Sequence, residues 1–423
     1  MKVIEKKYLL PFGLVTSLFL LWGLANNMTD TLLSAFKRIM DMSDTQTSLI
    51  QFAFYGAYFV IALPAALFIR KHSYKSGVIL GLILYAGGAI LFMPAAKAAS
   101  YAFYLVAIYI MASGCSVLET TANPYIMAMG SPETATRRLN IAQAFNPIGS
   151  ILGIILSKHF ILKDISLYSV SGTYMTLGFV LIAIMVVMLF ARMPDASTPS
   201  TGSGTGSATV TPHPALDAGS PEIAGQARNE GTRAALKRLF HNRTYLFGVI
   251  AQFFYVGAQI GVWSFTIRIV MQELGIVEAQ AATVYLWSII GFCASRFLYT
   301  WLMKWFAPAR LLVFGAVMSI LCSGVVVFGS GLGWGMVAAL MAISFFMSLM
   351  FPTIYGIALG SVGEDTKIGA SGLIMAILGG ALLTPLQAIV SDAAGIYTSY
   401  LIPLGCFAVV LMYALFSIKT KKA

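Results

Sequence analysis

Asn123-Pro124-Tyr125, followed a few residues on by Gly130-Ser131-Pro132-Glu133, has a counterpart about 230 residues later. There Phe351-Pro352-Thr353-Ile354-Tyr355 is followed by Gly360-Ser361-Val362-Gly363-Glu364. Each pair closes a long apolar stretch and opens a glycine-rich one. Lys71-His72 and Lys304-Trp305 repeat the pattern at the ends of the second and eighth apolar runs. The chain therefore reads as one unit written twice, in the same direction.

Outward from this repeat, apolar runs of bilayer-crossing length, about 20 residues each, fill nearly the whole chain. Six spans are expected at 9–34, 47–70, 76–95, 101–125, 138–162 and 170–192. Six more are expected at 244–270, 279–304, 309–329, 333–358, 368–391 and 398–417. The fold class is an all-α membrane protein of twelve transmembrane helices. Residues 1–193 form an N-terminal six-helix bundle, 194–243 a cytoplasmic linker and 244–423 a C-terminal six-helix bundle. The linker is partly disordered: from Ala196 to about Gly225 it is rich in Ser, Thr, Gly and Pro, which bury too little apolar area to offset ordering. Arg228 to Arg243 reads as a short surface helix feeding the second half.

Composition agrees. Of the 423 residues 58% are hydrophobic and 10% charged, against roughly 25% charge in a soluble domain; mean hydropathy is +0.83. The first apolar stretch, behind Lys2, Lys6 and Lys7, lacks a small-residue cleavage site, so it is expected to stay as helix one. The net charge of +11 fits the excess of Lys and Arg on the cytoplasmic side. Arg70, Lys71, Lys75, Arg137, Arg138, Lys419, Lys421 and Lys422 gather on one side when both termini are cytoplasmic. No aromatic-interleaved basic patch points to nucleic acid. Cys115, Cys293, Cys322 and Cys406 lie in apolar spans without ligand spacing. His72, His159, His213 and His241 lie near span ends or in loops. No metal site is expected, and no Gly-rich loop ending in Gly-Lys for a nucleotide.

The acidic residues carry the functional reading. Most of the sixteen fall in loops, tails or span ends; Asp30 and Glu119 lie well inside spans. A charge at that depth is costly and marks an ion or substrate path. Asn26 and Asn27 precede Asp30 by four and three residues, on one helical face. Asn123 follows Glu119 by one turn, beside Pro124, which frees a carbonyl. Desolvation disfavours the charged form of a carboxyl, which suits a group that takes up and releases a proton. Helix five adds Asn140, Gln143 and Asn146 before Pro147. Helix seven adds Gln252, Tyr255, Gln259 and Trp263. Amides bond hydroxyls and a ring covers a C–H face, so this set fits a sugar, although any single amide could equally bond a neighbouring helix. Arg268 and Arg296 read as snorkelling or as a gating ion pair.

The stretches LFLLWGLANNMTD (18–30), IQFAFYGAYFVIALPA (50–65), SYKSG (73–77), LETTANPY (118–125), RLNIAQAFN (138–146), AQFFYVGAQIGVWS (251–264), FPTIYGIALG (351–360) and SDAAG (391–395) together resemble the fucose permease family of the major facilitator superfamily. That superfamily is built as two six-helix halves with substrate near the midplane between them. The resemblance implies a proton-coupled sugar symporter, for L-fucose or a hexose such as galactose or glucose, with the proton as coupling ion and no cofactor. It implies Asp30 and Glu119 as the proton-coupling pair and Asn27 and Gln143 as sugar-lining amides. Thr29, Pro147 and Ile260-Gly261-Val262 depart from the family pattern and leave the sugar open. The expected partners are a small sugar, protons and the lipid bilayer of a bacterial inner membrane, the chain acting as a monomer. A sodium-coupled transporter and a non-transporting sugar sensor stand as alternatives. A membrane enzyme does not, for want of a nucleophile–base pair.

Overall fold

The computed structural model describes residues 3–40, 44–156, 160, 166–193 and 221–420, the side chains of 25–38, 44–48, 51 and 221–230 excepted. Among the described residues twelve helices are long and apolar enough to cross a membrane. In chain order they are α1 Leu9–Ile39, α2 Asp44–Lys71, α3 Tyr74–Lys97, α4 Tyr101–Ala128, α5 Pro132–Leu156, α6 Leu167–Phe190, α7 Arg243–Leu274, α8 Glu278–Leu302, α9 Pro308–Phe328, α10 Trp334–Leu359, α11 Gly363–Ala394 and α12 Ile396–Thr420. With no water in a bilayer core, the helix satisfies its own backbone. The ends follow local chemistry. Ser73, Ser100, Ser166 and Asn242 accept N-cap bonds from the amides of Ser76, Phe103, Ser169 and Tyr245. Gly275, at φ +64°, ends α7 in the left-handed region.

The repeat in the sequence becomes a repeat in packing. In the first half α1 lies on α5, α2 on α4, and α3 on both α4 and α6. In the second α7 lies on α11, α8 on α10, and α9 on both α10 and α12. Glycine makes the tightest of these contacts. A Cβ at Gly149 would collide with the carbonyl of Leu20, and one at Gly23 with that of Asn146. The second half repeats the device, where a Cβ at Gly379 would collide with the carbonyl of Phe253.

The halves meet through α2 on α11, α4 on α11, α5 on α8 and α5 on α10. Several polar links between them lie at the end of the bundle that carries both termini. Asn140 Nδ2 donates to Thr353 Oγ1 at 3.4 Å, and Lys367 Nζ to the Ile69 carbonyl at 3.4 Å. The linker contributes a helix, Pro221–His241, that ties to both halves. Arg70 donates to Thr232 Oγ1 at 3.2 Å, and Arg238 grips both carboxylate oxygens of Asp365 at 2.8 and 2.7 Å.

Two expectations change. Helix five begins at Pro132, not at 138, so Arg138 is not a loop charge. It is fully buried. Its guanidinium donates to the carbonyls of Ile126 and Met127, in the last turn of α4 where carbonyls lack helical partners, and to Ser131, Thr134 Oγ1 and Val3. The expected helix from Arg228 to Arg243 runs from Pro221 to His241, and Arg243 already belongs to α7. Of the low-complexity stretch expected to be disordered, Ala196 to about Gly225, residues 196–220 lie outside the described residues, whereas 221–225 form the first turn of the Pro221–His241 helix rather than a disordered segment.

Candidate functional site

Between the halves is a cavity of about 430 Å³, within the range of ligand pockets, about 300–1,000 Å³. The first half supplies Phe19 and Trp22 from α1, Phe54, Tyr55 and Tyr58 from α2, Glu119 from α4, and Gln143, Asn146 and Ser150 from α5. The second supplies Gln259, Ile260, Trp263 and Ser264 from α7, Tyr285 and Arg296 from α8, and Phe351 from α10.

Glu119 sits in the α4 segment that is buried on nearly every other position, yet its own side chain stays partly open. The hydroxyl of buried Tyr58 donates to its Oε1 at 3.3 Å. Ser116, one turn earlier, donates to the Tyr58 carbonyl at 3.3 Å, so α2 and α4 are tied at this level. The hydroxyl fixes the orientation of the carboxyl, and the cavity supplies the rest of its surroundings.

The amides are placed by the break in α5. Its regular turns stop at Gln143 and resume at Asn146, the residue before Pro147. Gln143 Nε2 donates to Asn123 Oδ1 at 2.9 Å, and Asn146 Nδ2 to the Phe19 carbonyl at 3.3 Å. No described residue donates to the side-chain carbonyl oxygen of either amide. On the far wall Trp263 Nε1 reaches Ser344 Oγ at 3.3 Å, while its ring meets Phe292 edge-on at 5.1 Å. Phe19 and Trp22 pack at 5.0 Å and Phe54 and Tyr58 at 5.4 Å. The site offers aromatic surface on both walls, polar groups that both donate and accept, and one carboxyl.

Of the residues singled out from the sequence, Glu119, Gln143, Asn146, Gln259 and Trp263 line the cavity. Asn123 lies behind it as the partner of Gln143. Asn140 is turned away, to the carbonyl of Thr136 and to Thr353. Gln252 and Tyr255 are fully buried and do not line the cavity. Among the described residues the Gln252 amide and the Tyr255 hydroxyl find no hydrogen-bond partner. Asn26, Asn27 and Asp30 fall in the backbone of α1, and their side chains lie outside the described residues. Arg268 is exposed, with its guanidinium 4.3 Å from the Phe265 ring centroid. Arg296 corrects the expectation of snorkelling: it is 3% exposed and faces the cavity, with its guanidinium on two backbone carbonyls. Tyr58, Tyr55, Phe54 and Tyr285 were missed. A tyrosine in an apolar span is ambiguous, since packing alone accounts for it, and only the fold brings Tyr58 to Glu119.

A family model described as Major Facilitator Superfamily matches residues 15–385. The chain is 39% identical to an L-fucose-proton symporter of Haemophilus influenzae, over 97% of each chain. It is 31% identical to a glucose/galactose transporter of Brucella abortus, over 98% of this chain and 96% of that one. Among solved structures it is similar to a crystal structure of the Major Facilitator Superfamily transporter FucP in the outward conformation. The TM-score is 0.82 at 34% identity, covering 97% of this chain and 99% of that one.

Proposed function

The chain belongs to the Major Facilitator Superfamily, and from that premise we propose that it is a proton-coupled symporter for a hexose of the L-fucose, galactose or glucose kind. The observation that carries this reading is Glu119, partly open to a cavity that both halves line with amides and aromatic rings. The names of its relatives, an L-fucose-proton symporter and a glucose/galactose transporter, support the substrate class.

The mechanism is alternating access. With its proton, Glu119 is a neutral donor that no longer makes the cavity costly to close. The sugar's hydroxyls bond Gln143, Asn146 and Gln259, and Trp263 covers a C–H face. The halves rock, the other side opens, and loss of the proton resets the cycle. Asp30 joins Glu119 in coupling, with Asn26 and Asn27 beside it; Asn123 acts through Gln143. Gln252 and Tyr255 support the wall from behind.

The working units are the bundles 1–193 and 244–423, joined by the linker 194–243. Both termini are cytoplasmic, by the placement of Lys and Arg. The polar links between the halves at that end then close the cytoplasmic side, so this conformation opens outward. The protein works as a monomer in a bacterial inner membrane.

Counterflow tests the reading. Proteoliposomes loaded with unlabelled L-fucose, galactose or glucose should draw in the labelled sugar. Uptake should then follow the pH gradient at constant Na⁺. A chain that exchanges none of these sugars refutes the substrate class. A chain that follows Na⁺ instead of pH refutes proton coupling, since carboxylates and freed carbonyls also hold sodium.

A further inference from the structure

Two helices beside the cavity are broken for the same reason. In an α-helix each carbonyl accepts from the amide four residues on, and proline has no amide hydrogen. Pro147 therefore deprives the Gln143 carbonyl of its donor, and Pro352 deprives that of Ser348. The regular turns lapse at 144–145 in α5 and at 348–349 in α10.

One side chain serves both carbonyls. Arg296 Nη1 donates to the Gln143 carbonyl at 2.8 Å, and its Nε donates to the Ser348 carbonyl at 2.8 Å. The preceding residue, Ser295, donates to the Ser348 hydroxyl at 2.6 Å, so α8 grips the α10 break twice. The guanidinium rests 4.8 Å from the centroid of Phe292, the ring on which Trp263 packs. A buried guanidinium is retained at a cost unless its donors are used. Here a rigid, pre-organised fork meets two acceptors on different helices, a geometry that a flexible ammonium does not hold fixed.

We propose that Arg296 is a positioning residue for the sugar site, standing in for the two amide hydrogens that Pro147 and Pro352 remove. The proposal rests on the sugar-site reading above. Gln143 ends the first piece of α5 and Asn146 begins the second, so the geometry of the break sets where both amides point. Arg296 holds that break from the opposite half of the protein. The position of first-half amides is thereby fixed by a second-half side chain.

The experiment compares Arg296→Met, Arg296→Lys, the pair Pro147→Ala with Pro352→Ala, and that pair combined with Arg296→Met, all as full-length protein. Two readouts are taken: half-saturation by sugar in counterflow, and melting temperature in detergent. Arg296→Met should raise half-saturation about tenfold or more, as expected for losing charged hydrogen bonds, and lower the melting temperature. Arg296→Lys should move both in the same direction. The alanine pair restores the backbone donors, so adding Arg296→Met to it should change both readouts far less. Unchanged half-saturation in Arg296→Met overturns the proposal. So does a loss of affinity that persists in the alanine background while melting recovers, because Arg296 then touches the sugar itself. If the unaltered protein moves no sugar, the functional reading fails, and the clamp is judged on melting: an Arg296→Met effect undiminished by the alanine pair overturns it.

Discussion

Glu119→Gln separates binding from coupling. The amide is nearly the size of the carboxyl, and its oxygen still accepts from the Tyr58 hydroxyl that lies 3.3 Å from Glu119 Oε1. What changes is the deprotonated state, where a charge-assisted bond becomes a neutral one of about half the strength, a difference of about 1 kcal/mol. Half-saturation should therefore shift by about fivefold or less. Coupling suffers far more. One pH unit across the membrane is worth about 1.4 kcal/mol per proton. At one proton per sugar that sustains about tenfold accumulation. Glutamine takes up no proton in this range, so the accumulation ratio should fall to about one while exchange persists. The assay uses proteoliposomes: labelled sugar exchange at equal pH, then net uptake under an imposed gradient. A Glu119→Gln protein that still concentrates sugar under that gradient would refute the assignment of Glu119 as coupling group.

Four further outcomes follow from other parts of the structure. Gly149→Val should lower stability in detergent melts by about 1–3 kcal/mol, the usual cost of overpacking, because its side chain would meet the Leu20 backbone. Gly172→Ala, with open space around its would-be Cβ, should stay within about 0.5 kcal/mol of the parent. Arg138→Met should destabilise by about 2–4 kcal/mol by stranding carbonyls at the end of α4, read in the same melts. Trp263→Leu should raise sugar half-saturation by roughly tenfold in counterflow, through loss of aromatic contact, with little effect on the pH dependence of uptake.

Hydropathy made the twelve spans legible, because the length of an apolar run is set by the bilayer and needs no knowledge of neighbours. The repeat around Pro124 and Pro352 made the two halves legible for a similar reason: it is a local pattern. Depth was harder. Gln252, Tyr255, Gln259 and Trp263 share a helical face, and spacing alone treats them alike. Yet Gln252 lies seven residues, about 10 Å of helix, from Gln259, and only the latter reaches the cavity. Arg138 and Arg296 were misread because a cation in an apolar chain suggests a water-facing end. Several of their acceptors are backbone carbonyls freed by the end of α4 or by prolines, on helices other than their own. Tyr58 meets Glu119 only because α2 packs on α4.

The glycine contacts between α1 and α5 bear on how such a protein could be re-engineered. At Gly23 and Gly149 the two backbones touch with no side chain between them, so the sequences of α1 and α5 are fitted to each other turn by turn. One of these helices holds Asn26, Asn27 and Asp30, the other Gln143 and Asn146. A chimaera that imports one without the other brings mismatched backbones together at the tightest point of the half. Grafting a new sugar preference thus calls for moving both helices as a single cassette, with the α7–α11 pair as a second, independent one.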